Sequence, residues 1–188
     1  DSYALAALLT DYALHAIWLV RGVNQYFVAT ETMAAEMAAR GFDPHTVHAS
    51  GIPIARADYS LSQRAAQEQV GLDGELPTVL LMGGGLGIGG MERTLAALET
   101  LERRLAILVV AGRNCVLEAH AQRVAERSRH EIRVFAYTDK IPILMRAADL
   151  LITKPGGLTL SEAFAAGLPL LLHDPIPGPE TENAVYAT

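Results

Sequence analysis

A single cysteine, Cys115, stands in the 188 residues, so no internal disulfide can form and the composition fits a reducing compartment. Runs of Lys and Arg are absent and the formal net charge is -6. No such run is available to neutralise a phosphate backbone, which leaves nucleic-acid binding and a basic membrane patch without support. Apolar runs are broken by Gly, Pro or charge well short of the ~20 residues a membrane helix needs, and no stretch has the pattern of a signal peptide. No DxD carboxylate pair occurs; the nearest, Asp73-Gly74-Glu75, reads as a solvated turn. A GxSxG elbow is lacking, and no Lys followed by Ser or Thr comes after the glycine-rich loop. The six His residues form no ligand cluster. His45 and His48 flank a strand start, His120 and His130 lie among charged helical residues, and all four are expected to be exposed and unliganded. Cys115, at the head of a helix, is expected to be a buried thiol.

What is present is a core. Hydrophobic residues make up 51% and charged residues 19%, which excludes a disordered chain, and the length suits about one domain or one and a part. Strands are expected at Leu5 to Thr10, Tyr26 to Ala29 and Val47 to Ile54, with a helix from Glu31 to Arg40 ended by Gly41. A polar stretch from Ala55 to Gln69 carries a helix stopped by Gly71, and a domain boundary falls near the LDGELP turn. From Pro77 the alternation is regular: strand Thr78 to Met82, glycine loop Gly83 to Gly90, helix Met91 to Arg103, strand Ala106 to Ala111, helix Cys115 to Ser128, strand Ile132 to Phe135 and helix Ile141 to Ala148. Such alternation predicts an α/β fold, a Rossmann-like parallel sheet with helices on both faces.

The stretch from Leu150 to Thr188 says most about function. Leu150 to Ile152 reads as a buried strand, Pro155, Gly156 and Gly157 end it, Leu158 to Ala166 forms a short helix closed by Gly167, and a second strand follows. The unpaired amides at that helix start would face a phosphate. Thr159 and, one turn on, Glu162 could hold a sugar hydroxyl beside it, although Thr159-Leu160-Ser161-Glu162 is also a capping-box pattern, in which Glu162 would satisfy a backbone amide. The loop MGGGLGIGG holds a formal GxGxxG at Gly85, Gly87 and Gly90, but the next strand leads into Arg113 and Asn114 instead of the acid that a dinucleotide ribose needs. What remains is a loop able to approach a ligand closely and present amides to it, or a tight packing turn.

Three stretches carry a resemblance: LLTDYALHAIW with VNQYFVATETMAAEM between Leu8 and Met37, VLLMGGGLGIGG at Val79 to Gly90, and ITKPGGLTLSEAFAAGLPLLLHDPIPGPETENA at Ile152 to Ala184. On these the chain resembles the processive diacylglycerol glucosyltransferases and monogalactosyldiacylglycerol synthases, and more distantly the lipid II N-acetylglucosaminyltransferase. The resemblance implies the GT-B fold: the tail of an N-terminal, acceptor-side domain at 1–54, a linker and connecting helix at 55–76, and a UDP-sugar-binding C-terminal domain at 77–188, incomplete at its end. The chain, beginning at Asp1 without Met, then reads as a piece of a longer protein that would bind donor weakly and catalyse little or nothing alone.

Carried over by residue, the resemblance implies that the Thr138 backbone pairs with uracil, with Tyr137 beside it, and that Glu162 accepts the ribose hydroxyls. Amides at Gly157 and Leu158, with the Thr159 hydroxyl, would hold the diphosphate beside Gly156, another donor-binding position, while Gly84 and Gly85 approach from the glycine loop; Glu180 would bind the hexose and Asn183 would fix its loop. Pro179 stands where many relatives carry Gln. Arg56 and Arg113 are either phosphate partners or surface arginines, and His15 is either a base or a structural neighbour of Trp18.

The implied reaction is an inverting, metal-independent hexose transfer from a UDP-sugar, a substrate and not a cofactor, to a lipid such as diacylglycerol. Helix-start amides would stabilise the departing diphosphate. The base would come from the preceding part of the first domain, which would also meet the membrane. The implied setting is the cytoplasm, peripheral on the inner face of the membrane. A UDP-sugar 2-epimerase of the same architecture and a noncatalytic nucleotide-binding module are the alternatives.

Overall fold

The computed structural model describes residues 3–56, 60–83 and 90–188. The chain divides into two compact units, one of Asp1–Ala55, Pro155–Ser161 and Pro175–Thr188, the other of Arg56–Lys154 and Glu162–Asp174.

In the first unit, β1 (Ala6–Leu8), β2 (Gln25–Val28) and β3 (Val47–Ala49) form a parallel sheet in that order. Strand β2 alternates half-buried and buried residues, which places Tyr26 and Val28 on the packed face. Helix α1 (Glu31–Ala39) starts where the Thr30 hydroxyl accepts the Met33 N–H at 3.2 Å, and it stops before Gly41, whose φ of 83° suits glycine. Met33 and Met37 on α1 meet Leu9, Tyr26, Val28 and Val47 in a small core. Strands β1 and β3 are shorter than the sequence suggests. The β3 ladder ends when Ser50 N–H bonds to the Val28 carbonyl and Gly51 turns the chain at φ 77°. Between β1 and β2 lies only a three-residue 3-10 turn, Ala16–Trp18, at whose start His15 accepts the Ile17 N–H.

The second unit begins with α2 (Gln63–Gln69), capped by Ser62. It continues through β4 (Thr78–Met82), α3 (Met91–Glu99), β5 (Ala106–Gly112), α4 (Cys115–Ala125), β6 (Glu131–Ala136), α5 (Ile141–Ala147), β7 (Leu150–Thr153), α6 (Gly157–Ala166) and β8 (Leu170–Leu172), the first turn of α6 counting with the first unit. The last helix, α7 (Pro179–Tyr186), belongs to the first unit. All strand pairs are parallel, in the order β6-β5-β4-β7-β8. Every residue of β4 and β5 is buried, as strands covered on both faces require. Alternate residues feed two cores, Leu80, Met82, Leu108 and Val110 one of them, Leu81, Ile107 and Val109 the other. Buried Gln67 donates to Thr78 Oγ1 at 3.3 Å and to the Ala147 carbonyl at 3.1 Å, so its polar end is satisfied inside the first core.

Strand β4 is the turning point of this sheet. The chain leaves it toward β5 on one side and returns as β7 on the other, with Met82 paired to both Val110 and Thr153. The crevice beyond the carboxyl ends at such a switch point is where parallel sheets bind ligands. Gly83 follows β4 there, and α6 starts four residues after β7 ends.

Candidate functional site

Helix α6 opens with the sequence Gly157-Leu158-Thr159. The Gly156 carbonyl accepts the Leu160 N–H at 2.9 Å, so Gly156 is the residue at the helix entrance and Thr159 already lies inside. The capping-box alternative is thereby excluded: Glu162 sits too far into the helix to reach back to its start. The amides of Gly157, Leu158 and Thr159 have no intrahelical partner and point out of the helix start. With Thr10, Asp11 and Gly156 these three residues line a cavity of about 200 Å³.

Glu162 is half-buried and makes no hydrogen bond or ion pair among the described residues. Burial raises its carboxyl pKa above the ordinary value. A carboxylate kept partly from water without a partner is a stability cost that a hydroxyl-bearing ligand would relieve.

At the end of β6, Tyr137 is exposed and Thr138 Oγ1 accepts the Lys140 N–H at 3.1 Å. The Thr138 N–H and C=O themselves are unpaired among the described residues, one donor and one acceptor side by side. The Arg113 guanidinium lies over the Tyr137 ring, 5.0 Å from its centroid. Arg56 lines a separate cavity in the second unit with Leu61, Asp139 and Arg146.

Asn183 is wholly buried on α7. It donates to Asp11 Oδ1 at 2.8 Å and to the Pro155 carbonyl at 3.0 Å, and it accepts the Tyr12 N–H at 2.7 Å. An amide so enclosed ties three segments together and has no surface to offer a sugar. Glu180 Oε2 accepts the Ile176 N–H at 2.7 Å, bracing the turn before α7. Gly84 and Gly85 lie outside the described residues.

Two expectations are corrected. His130 is buried at 4% exposure, its Nδ1 accepting the Leu105 N–H at 3.1 Å, because the loop before β6 folds under the start of β5. Cys115 is exposed, since the first residue of α4 projects off the helix start while Leu117 and Ala121 take the core positions.

Sequence reasoning also missed several residues. Tyr12 and Ser161 join at 2.8 Å; because the Ser161 proton goes to the Gly157 carbonyl at 2.7 Å, Tyr12 is the donor. The Tyr12 ring stacks on Tyr186 with centroids 4.2 Å apart, and burial raises its hydroxyl pKa despite the Ser161 bond. In the second unit Asp174 holds a left-handed φ of 43° and accepts from Arg93 at 2.9 Å, beside Gly90 at the entrance to α3. Asp11 and Tyr12 lie in a quoted stretch, but their partners Asn183 and Ser161 stand 172 and 149 residues away. Among the described residues no three His, Cys, Asp or Glu gather as a metal site, and no helix is long and apolar enough to cross a membrane.

This is the fold of the C-terminal half of a GT-B glycosyltransferase. Residues 78–187 match the family described as Glycosyltransferase family 28 C-terminal domain, and residues 2–54 match Monogalactosyldiacylglycerol (MGDG) synthase. The chain belongs to glycosyltransferase family 28. A processive diacylglycerol beta-glucosyltransferase of Bacillus cytotoxicus is 35% identical over 180 residues, an alignment covering 95% of this chain and 46% of the relative. That of Bacillus subtilis is 32% identical over 180 residues, covering 95% and 47%. The chain thus spans about half the length of the curated relatives it matches. Among solved structures, Acinetobacter baumannii MurG superimposes with a TM-score of 0.63 at 22% identity, over 97% of this chain and 50% of that one. Anabaena Alr3699/HepE in complex with UDP and glucose does so with a TM-score of 0.53 at 15% identity, over 89% and 52%. At those identities the likeness is one of fold.

Proposed function

We propose that the protein of which this chain is part transfers a hexose from a UDP-sugar to a lipid acceptor such as diacylglycerol, with inversion at the anomeric carbon and without a metal. The observation that carries the reading is the start of α6 beyond β7, at the switch point of a family 28 C-terminal sheet, with three amides unpaired. In this reading the amides of Gly157 and Leu158, next to Gly156, and the hydroxyl of Thr159 receive the diphosphate. They take up the negative charge that grows as the sugar departs, and because they are fixed in advance they need no reorganisation at that moment.

The unpaired Thr138 N–H and C=O suit the complementary edge of uracil, with Tyr137 alongside. Glu162, raised in pKa and without a partner, suits the ribose hydroxyls, whose donation would stabilise its charged form. Glu180 is the hexose contact once released from Ile176, and Asn183 acts through the segments it ties. The protein would work on the cytoplasmic face of the membrane, peripherally, and this chain alone would be inactive.

Full-length protein incubated with UDP-glucose or UDP-galactose and diacylglycerol should yield a glycolipid and UDP. Product analysis that finds only an epimerised nucleotide sugar, or nucleotide binding without turnover, would overturn the transfer.

A further inference from the structure

We propose that Arg113 serves the nucleotide base and not its phosphates: it holds the Tyr137 ring as the platform on which uracil stacks. The inference deepens the donor reading given above, on which it rests, and gives a task to a residue that reading leaves without one.

The placement begins with the sheet. Gly112 and Ala136 are the last paired residues of β5 and β6, so Arg113 and Tyr137 come next on neighbouring strands, side by side beyond the carboxyl ends. Gly112 turns off its strand at φ 63°, and the Asn114 N–H closes the turn on the Ala111 carbonyl at 3.2 Å. The Asn114 side chain then accepts the Leu117 N–H at 3.0 Å, so Arg113 stands between a strand end and a capped helix, on backbone fixed at both sides. From that turn its guanidinium reaches over the Tyr137 ring, 5.0 Å from the centroid. Strand β4 lies between β5 and β7. Arg113 therefore leaves the sheet two strand spacings, about 10 Å, from β7 and extends the other way, toward β6.

Neither side chain is spent elsewhere. Among the described residues Arg113 makes no ion pair and the Tyr137 hydroxyl makes no hydrogen bond. Tyr137 is 66% exposed, so with one face under the guanidinium the other is open to solvent. The next residue, Thr138, carries the unpaired N–H and C=O that suit the edge of uracil. A planar base needs in-plane partners for its edge and an aromatic surface for its face; Thr138 offers the first and Tyr137 the second.

An exposed tyrosine turns about its side-chain torsions, and that freedom is lost when a base stacks on it. The guanidinium, planar and always charged, settles the ring in advance through its attraction to the ring face. Arg113 is thus a positioning residue that acts through Tyr137.

The test uses full-length protein and the variants Arg113→Ala, Arg113→Lys and Tyr137→Ala, with UDP affinity read by calorimetry and uridine affinity by competition against UDP. Arg113→Ala should weaken UDP and uridine by the same factor, roughly fivefold, with melting temperature little changed. Donor KM should rise by that factor while kcat holds, the mark of binding lost equally from ground and transition states. Arg113→Lys, which keeps the charge but loses the plane, should fall between the parent and Arg113→Ala. In the Tyr137→Ala background, Arg113→Ala should change neither affinity further. Loss of UDP affinity with uridine binding intact would make Arg113 a phosphate partner and overturn the inference. So would parent-like affinities in Arg113→Ala, or effects of the two alanine substitutions that simply add. If the parent itself binds UDP no better than ADP, the uracil reading falls and this inference with it.

Discussion

The carbonyl of Thr10 occupies the space that a side chain on Gly157 would need, whereas the adjacent Gly156 meets nothing within 4 Å in the same direction. Two consecutive glycines thus serve different ends, one admitting a neighbouring backbone and the other leaving the helix entrance open.

Gly157→Ala should therefore lower the melting temperature well below that of Gly156→Ala. Overpacking against an immobile backbone costs about 1–3 kcal/mol or more, while alanine at the helix entrance costs about 0.5 kcal/mol. Thermal unfolding of both variants checks the ranking, and equal stabilities would refute the contact.

Glu162→Gln should weaken UDP binding by roughly tenfold or more, the worth of a charge-assisted hydrogen bond. The same change should raise stability at neutral pH. The folded-state pKa of Glu162 is raised by burial, so the folded form binds its proton more tightly than the unfolded chain does. The charged residue then disfavours folding above the folded pKa, and this penalty shrinks as pH falls toward the unfolded value. Calorimetric titration and melting curves at neutral and acid pH should show the affinity loss and a stability gain that fades with acidification.

Tyr12→Phe removes the donor to Ser161 but leaves the Ser161 bond to the Gly157 carbonyl and the stack on Tyr186 in place. A cost of about 0.5–1.5 kcal/mol is expected, the net worth of one hydrogen bond, visible as a lower denaturation midpoint without change of slope. No measurable shift would mean that the hydroxyl finds water equally well.

UDP affinity and full-length transferase rate should change little in excess EDTA, because amides at the start of α6 can take the diphosphate charge. Loss of most activity on chelation, restored by Mg or Mn, would remove the amide-cradle mechanism.

The parallel sheet was legible because its signals are local. Continuous apolar runs at Thr78 to Met82 and Ala106 to Ala111, each followed by turn residues and a helix start, can be read in windows of ten residues. Helix ends were less so. The helix begun at Met91 stops at Glu99, where the Thr100 hydroxyl folds back onto the Ala97 carbonyl, and the one begun at Cys115 stops at Ala125. Helix α7 went unread, since Pro179, Glu180 and Thr181 look like loop until Gly178, at φ 103°, turns the chain and Pro179 opens the helix. At the site, the glycines and Glu162 announce themselves by type. Asp11 does not: its meaning lies in Asn183, and no spacing rule connects residues so far apart in sequence.

The position of β4 also sets the order in which this sheet can be completed. During synthesis β5 and β6 follow β4 directly, but β7 emerges only after residues 83–149 have been made. At about 5–20 residues per second, one edge of the central strand waits roughly 3 to 13 s for its partner. Throughout that interval a strand with four consecutive apolar residues and unmet backbone groups is open to any other extended chain. The nascent protein should thus depend on chaperones most strongly just before Leu150 leaves the ribosome, and translation pauses placed within 83–149 should increase its aggregation.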